Sequence, residues 1–307
     1  MPEITLTVDQ SAGSGVRLDR YCTMNNQELT RSRLKNGIQE VTVNGSVVKL
    51  SRIVRPGDRI VIHWEDPVPE NIEGENIPLS IIYENDHVTV VNKRQGMVTH
   101  PAAGNWTGTL VNALLWHWKQ LPDPGNLRAG IVHRLDKDTS GVIITARDRE
   151  TESLLQKRFK QRAVRKTYIA ILCGVPRPRK GIIETRIVRD PVNRKRFTCT
   201  DIPDKGKYAK TSYRIVRVLG NYSLCVFTLH TGRTHQIRVH ARYLGTPILG
   251  DPVYGKKDKL FPDATLMLHA RRLRIRIPDE KGIMTFTAPV PVRFRRVIRA
   301  LTGGTAR

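Results

Sequence analysis

Gly130-Ile-Val-His133-Arg134-Leu-Asp136-Lys-Asp138-Thr139-Ser140-Gly141-Val-Ile-Ile-Thr145 is the densest polar segment of the chain, and apolar β-formers flank it on both sides. It reads as strand, loop, strand, because runs of Val and Ile bracket a turn rich in Asp, Thr, Ser and Gly. A loop that presents two carboxylates, a histidine and an arginine from a rigid sheet is a natural place for chemistry. Asp136-x-Asp138-x-Ser140-Gly141 matches the first half of a calcium loop. Its twelfth position is Arg147, however, where a bidentate Glu is required, so calcium is rejected. A glycosidase pair fares a little better, although Asp136 and Asp138 are too close in sequence to guarantee facing each other across a sugar. A surface loop without chemistry is the remaining reading of these residues alone.

Outward from this segment, strands are expected at 87–92, 167–172, 213–218, 222–229 and 268–277. In the last of these, Leu273, Ile275 and Ile277 alternate with Arg272, Arg274 and Arg276, so one face packs and the other is cationic. Residues 107–121 carry Leu110, Ala113, Leu114 and Trp118 at helical spacing. Residues 148–162 read as a second helix with Asp148 as N-cap and Leu154, Leu155 and Phe159 inward. Strands outnumber helices and no regular βαβ alternation appears, which makes the fold α+β.

The N-terminal part is small but patterned. Short helices are expected at 16–21 and 30–37, the second capped by Thr30 and stopped by Gly37. Asn44-Gly45 between Val-rich runs signals a hairpin, since a type I′ turn needs positive φ at both central residues. Arg55-Pro-Gly-Asp58 reads as a turn before a last strand at 59–63. Helix, helix, hairpin with basic residues on the second helix resembles the α-L RNA-binding module, the ribosomal S-four domain, over about 16–65. That resemblance implies docking to structured RNA through Arg31, Arg33 and Lys35. The acidic, Pro-containing stretch that follows reads as a linker. The expected organisation is therefore a module at 1–67, a linker at 68–79 and a larger domain at 80–307.

With 52 Lys+Arg against 28 Asp+Glu in 307 residues, the chain carries +24, which favours a polyanionic partner, nucleic acid ahead of a membrane surface. The excess lies in the second half; residues 268–307 alone hold ten basic and two acidic side chains. No apolar run approaches the roughly 18 residues of a membrane span. The N-terminal residues lack the basic and apolar regions of a signal peptide. Cys22, Cys173, Cys199 and Cys225 are scattered without a CxxC, which suits a reducing cytoplasm.

A second polar cluster runs from Leu229 to Arg242. Ile237, Ala241 and Leu244 share a helical face, which puts Gly232-Arg233-Thr234 at a helix N-terminus, where exposed N–H groups favour anions. His230, His235 and His240 are five apart, do not share a face and have no completing Cys or carboxylate, which argues against a metal. At this point a resemblance becomes specific. His133-Arg-Leu-Asp136-Lys-Asp-Thr-Ser-Gly141 is similar to the signature of the RluA-type pseudouridine synthases. Lys166-Thr-Tyr168, Thr231-Gly-Arg233-Thr-His-Gln-Ile-Arg238, Pro247-Ile-Leu-Gly250-Asp-Pro-Val-Tyr-Gly255 and Asn92–Pro101 resemble their other motifs, in the family's order. In the last of these, Arg94-Gln95 stands where the family commonly has Pro-Ala.

The resemblance implies a mixed, mainly antiparallel sheet and an isomerase that turns uridine in RNA into its carbon-linked isomer, with no cofactor and no metal. It assigns Asp136 as the essential carboxylate, either attacking the anomeric carbon or removing a ribose proton. It gives Arg233 as the cation that keeps Asp136 ionised, and Tyr168 as the residue that stacks on the base or moves a proton. Arg134 fills the space a flipped base leaves, Arg238 and His133 are further RNA-contact candidates, and His133, Asp138, Thr139 and Ser140 read mainly as loop-shaping. The implied partner is structured RNA, ribosomal large-subunit RNA first, with transfer RNA as the alternative. A non-catalytic RNA-binding or ribosome-assembly protein is the reading from another class. A cytoplasmic monomer with no membrane partner completes the expectation.

Overall fold

The computed structural model describes residues 3–10, 15–26, 29, 34, 38–64, 72–102, 105–119, 130–193, 196–202 and 204–303. The chain divides into two compact units, Met1–Asn71 with Ala102–Trp106, and Ile72–Pro101 with Thr107–Arg307.

In the first unit, β1 (Glu3–Thr7), β6 (Arg59–Trp64), β3 (Ile38–Val43) and β4 (Ser46–Val47) form one sheet in that order, and β2 (Val16–Arg17) pairs with β5 (Ile53–Val54). Helix α1 (Leu18–Asn25) starts two residues later than the sequence suggests, because Val16 and Arg17 are taken into the small sheet. The β3–β4 turn has Asn44 at φ 53° and Gly45 at φ 82°, the left-handed pair that its Asn-Gly demanded. The Asp58 carboxylate accepts from Asn44 Nδ2 at 2.8 Å and from the Arg55 N–H at 2.9 Å, tying the two turns together. Leu18, Val43, Ile60 and Ile62 are buried at its centre. The helix expected at 30–37, with Arg31, Arg33 and Lys35, lies outside the described residues apart from Leu34.

The second unit is built on a ten-stranded sheet. Its strands are β7 (Ile81–Glu84), β8 (Val88–Lys93), β9 (Ser140–Ala146), β10 (Arg165–Cys173), β11 (Lys180–Arg189), β12 (Phe197–Thr200), β13 (Lys207–Leu219), β14 (Tyr222–Leu229), β15 (Leu268–Ile275) and β16 (Met284–Thr287). The order is β12-β11-β13-β14-β10-β15-β9-β8-β7, with β16 on β15. Every described pairing is antiparallel except the short parallel contact of β15 with β9 at Ser140 and Gly141. Helices α2 (Leu110–Trp118), α3 (Arg149–Lys160), α4 (Gln236–Tyr243) and α5 (Val292–Leu301) accompany it. The architecture is α+β with few helices.

Local chemistry explains the ends. Thr109 and Asn112 form a reciprocal capping box at α2, and Asp148 caps α3 by accepting from the Thr151 N–H at 2.7 Å. Residues 72–79, within the stretch read as a linker, are held against α2. Asn112 Nδ2 donates to the Glu73 carbonyl at 2.8 Å, and the Glu75 carboxylate accepts from the Gly108 N–H at 2.9 Å. The segment at 130–145 is half a hairpin: β9 is a full strand, but its upstream flank makes only an isolated bridge, Ile131 to Thr145. Gly141, at φ 120°, lets β9 meet β15, since a Cβ there would collide with the Ala270 backbone.

Candidate active site

A cavity of about 500 Å³ lies between the loop 132–139, the start of β10 and the turn 230–238 leading into α4. Asp136 reaches into it with a side chain 23% exposed. The loop carrying Asp136 is fastened from behind by the residues after β8. Thr99 Oγ1 donates to the Leu135 carbonyl at 2.8 Å, and the Gly96 N–H donates to Lys137 at 2.9 Å. Gln95 Nε2 donates to Asp138 at 3.0 Å and to Leu266 at 3.0 Å. Lys93, 1% exposed, sends its ammonium to the carbonyls of Met97, Arg94 and Lys137 at 2.8, 3.1 and 3.1 Å. Burial pushes the pKa of Lys93 down to about 7, against the opposing pull of Asp136 and Asp138.

The cations around Asp136 are arranged differently from the sequence expectation. Arg238 Nη1 lies 3.9 Å from Asp136 Oδ2, and His235 Nε2 lies at the same distance. Arg233 instead turns its Nε to the Tyr208 carbonyl at 2.9 Å. The physical reason is the turn into α4. Gln236 accepts the Arg233 N–H at 2.9 Å and the Thr231 hydroxyl at 2.8 Å, which directs Arg233 toward β13, while Arg238 sits inside the first turn of the helix. Arg238 also forks onto Asp251 through two hydrogen bonds of 2.8 and 2.7 Å, with side chains 4% and 0% exposed. Burial disfavours charge on both, but their mutual contact keeps Asp251 below and Arg238 above their ordinary values. Asp251 is further held by the N–H groups of Val253 and Tyr254, each at 2.9 Å.

His235 occupies a left-handed backbone position at φ 56°. Its Nδ1 shares a 2.9 Å hydrogen bond with the Tyr254 hydroxyl, which accepts the Phe197 N–H at 2.9 Å. Burial lowers the pKa of His235, with Asp136 pulling the other way. Tyr168 is 7% exposed, and burial followed by the charge of Asp136 pushes its phenol up, so it is a neutral hydroxyl at physiological pH.

Arg134 is exposed on the cavity rim. His133 is turned into the protein: its Nε2 accepts the Ile144 N–H at 3.1 Å and its ring stacks on Phe159 at 4.6 Å. Burial, with Lys166 adding repulsion, drives its pKa down to about 3, so it is neutral and carries no charge to a phosphate. Thr139, at the end of the loop, and Ser140, the first residue of β9, are buried. Lys93, Asp251 and Tyr254 are not singled out as site residues by the sequence, and His235 enters there only as a rejected metal ligand; the available signal is that all four stand in the motifs quoted for the resemblance. Among the described residues, no group of three His, Cys, Asp or Glu side chains is placed to hold a metal ion.

A carboxylate set beside a buried guanidinium, in a cavity rimmed by Arg134, Lys160, Arg162 and Lys166, is the equipment of an enzyme acting on a polyanion. The family described as RNA pseudouridylate synthase matches residues 87–243. Ribosomal large subunit pseudouridine synthase D of Borreliella burgdorferi is 42% identical, over 94% of this chain and 89% of that protein. The protein of the same name from Pasteurella multocida is 38% identical, over 98% of this chain and 96% of its own length. Among solved structures, human RNA pseudouridylate synthase domain containing 4 matches with a TM-score of 0.57 at 25% identity, covering 73% of this chain and 93% of that one. The chain belongs to the RNA pseudouridylate synthase family and is an isomerase that converts uridine to pseudouridine in RNA.

Proposed function

We propose that the substrate is large-subunit ribosomal RNA and that Asp136 is the catalytic carboxylate. The observation that carries the reading is the placement of Asp136 in the cavity, 3.9 Å from the Asp251-anchored Arg238. The names of the Borreliella and Pasteurella relatives support the choice of RNA.

The reaction breaks the N1–C1′ bond, rotates the base and forms C5–C1′. The proton lost from C5 is balanced by one gained at N1, so no oxidant or group donor enters. Asp136 either bonds to C1′ as the base departs or takes the C2′ proton to leave a glycal. Both roles use the carboxylate as an anion, and Arg238 places a positive charge 3.9 Å from it. Tyr168, a neutral phenol at the cavity wall, packs on the base and offers a hydroxyl. Unstacking the target base costs roughly a few kcal/mol, which Arg134 offsets by filling its place. Arg31, Arg33 and Lys35 on the small N-terminal module dock structured RNA, and the enzyme works as a cytoplasmic monomer.

Asp136→Asn tests this directly. The purified variant is expected to bind a large-subunit ribosomal RNA transcript normally and to form no pseudouridine. Undiminished product would remove Asp136 from the chemistry, and product on transfer RNA alone would overturn the substrate.

A further inference from the structure

Resting on the reading of an RNA substrate, we propose that the sheet face bearing Arg165, Arg272, Arg274 and Arg276 is a second RNA-backbone contact, on the opposite side of the sheet from the catalytic cavity. The two sides are fixed by strand alternation. On β10, Lys166 and Tyr168 line the cavity, so Arg165 and Thr167 leave the sheet on the other side. On β15, Leu273 is the register partner of Lys166 and is buried, while Arg274 pairs with Arg165 and Arg272 with Thr167. Arg165, Arg272, Arg274 and Arg276 are all exposed.

Folding alone gives no reason for this arrangement. Directly opposed residues on antiparallel strands have Cβ atoms about 5 Å apart, and like charges there are destabilising. A carboxylate would relieve the Arg165–Arg274 pair, yet the neighbours across β16 are Thr285 and Thr287, hydroxyls that donate to phosphate as readily as they accept. Among the described residues none of the four arginines has an ion-pair partner. Arg272 and Arg274, two apart on β15, stand about 6.7 Å from each other on one face, comparable to successive phosphates of an RNA strand, and Arg276 follows just past the strand's end at Ile275. Phosphates are the anions that such a row accommodates without demanding sequence.

The consequence is a footprint larger than the flipped uridine and its neighbours, reaching around the sheet to a separate part of a folded RNA. The test compares Arg272→Gln/Arg274→Gln with Lys256→Gln/Lys257→Gln, a control that lowers net charge equally at another exposed site. Filter binding of a large-subunit ribosomal RNA transcript is measured from about 0.05 to 0.3 M salt, alongside pseudouridine formation by the unaltered enzyme. The arginine pair is expected to weaken binding about tenfold and to lower the slope of log affinity against log salt by about 1.5, the control by much less. Equal effects from both pairs, or none from the arginines, would overturn the proposal, as would loss of binding to an acidic protein with RNA affinity intact. If the unaltered enzyme binds the transcript but modifies none of it, the ribosomal substrate fails while the RNA contact is still decided by the slopes.

Discussion

Asp251 is fully buried and does not line the cavity, yet the whole site leans on it. Its carboxylate is the sole bidentate acceptor for Arg238 among the described contacts, and both side chains are essentially out of water. Two exposed ions at this distance would be worth little; two buried ones are strongly coupled, because removing one leaves the other uncompensated. Asp251→Asn is therefore expected to cost about 3–5 kcal/mol of stability, measured by urea unfolding, and to depress activity even where the protein is fully folded. A variant as stable as the original would show that Arg238 finds other partners. Asp251 and Arg238 stand in separate motifs, and spacing alone does not reveal that they fork together. The family resemblance points to Arg233 for the contact with Asp136, where Arg238 stands instead. Five residues apart, Arg233 and Arg238 look equally placed until the left-handed turn at His235 separates them.

At the scale of elements, the loop carrying Asp136 is shaped less by its own residues than by the strap from Lys93 to Thr99. Three of its carbonyls, at Leu135, Lys137 and Asp138, are captured by that strap. Gln95 gives the departure at Arg94-Gln95 a physical role: an Ala there would leave the Asp138 and Leu266 carbonyls without these donors. Gln95→Ala is expected to lose about 1–3 kcal/mol and to slow single-turnover pseudouridine formation while leaving RNA affinity unchanged. An unchanged rate would mean the remaining contacts suffice to fix Asp136. Elements with strong periodicity or clear caps were legible in sequence, among them β8, β14 and α3 with its Asp148 cap. Others were not. In β11 the buried Ile183 and Ile187 alternate with a 59% exposed Ile182, so the pattern blurs. In α5 the inward Phe294 and Val297 are diluted by Arg293, Arg295, Arg296 and Arg299. The bonds of the strap are non-local, and no local pattern encodes them.

Across the whole molecule, the +24 charge gives way in the interior to a set of neutral bases. His133 accepts a backbone N–H, His240 lies between the hydroxyls of Thr185 and Thr211, and His269 shares a hydrogen bond with Ser140, which also accepts from Arg293 on α5. Burial pushes their pKa values down, to about 3 for His133 and about 4 for His240 and His269. In the unfolded chain each titrates near 6.5. Between pH 6.5 and about 4 the unfolded state thus binds more protons, so stability present above 6.5 is lost as pH falls. Each histidine contributes up to about 1.4 kcal/mol per pH unit in that window. Urea midpoints are expected to fall steeply from pH 7 to pH 5, well above the range where carboxylates titrate. In His240→Gln the midpoint at pH 7 falls, but its dependence on pH is expected to be shallower, since one of the buried neutral histidines that the unfolded chain protonates is gone. A slope identical to that of the unaltered protein would place the acid sensitivity elsewhere. Because His133 and His269 brace the two ends of the loop that carries Asp136, the same protonation is expected to loosen that loop, so activity should fall with pH ahead of global unfolding.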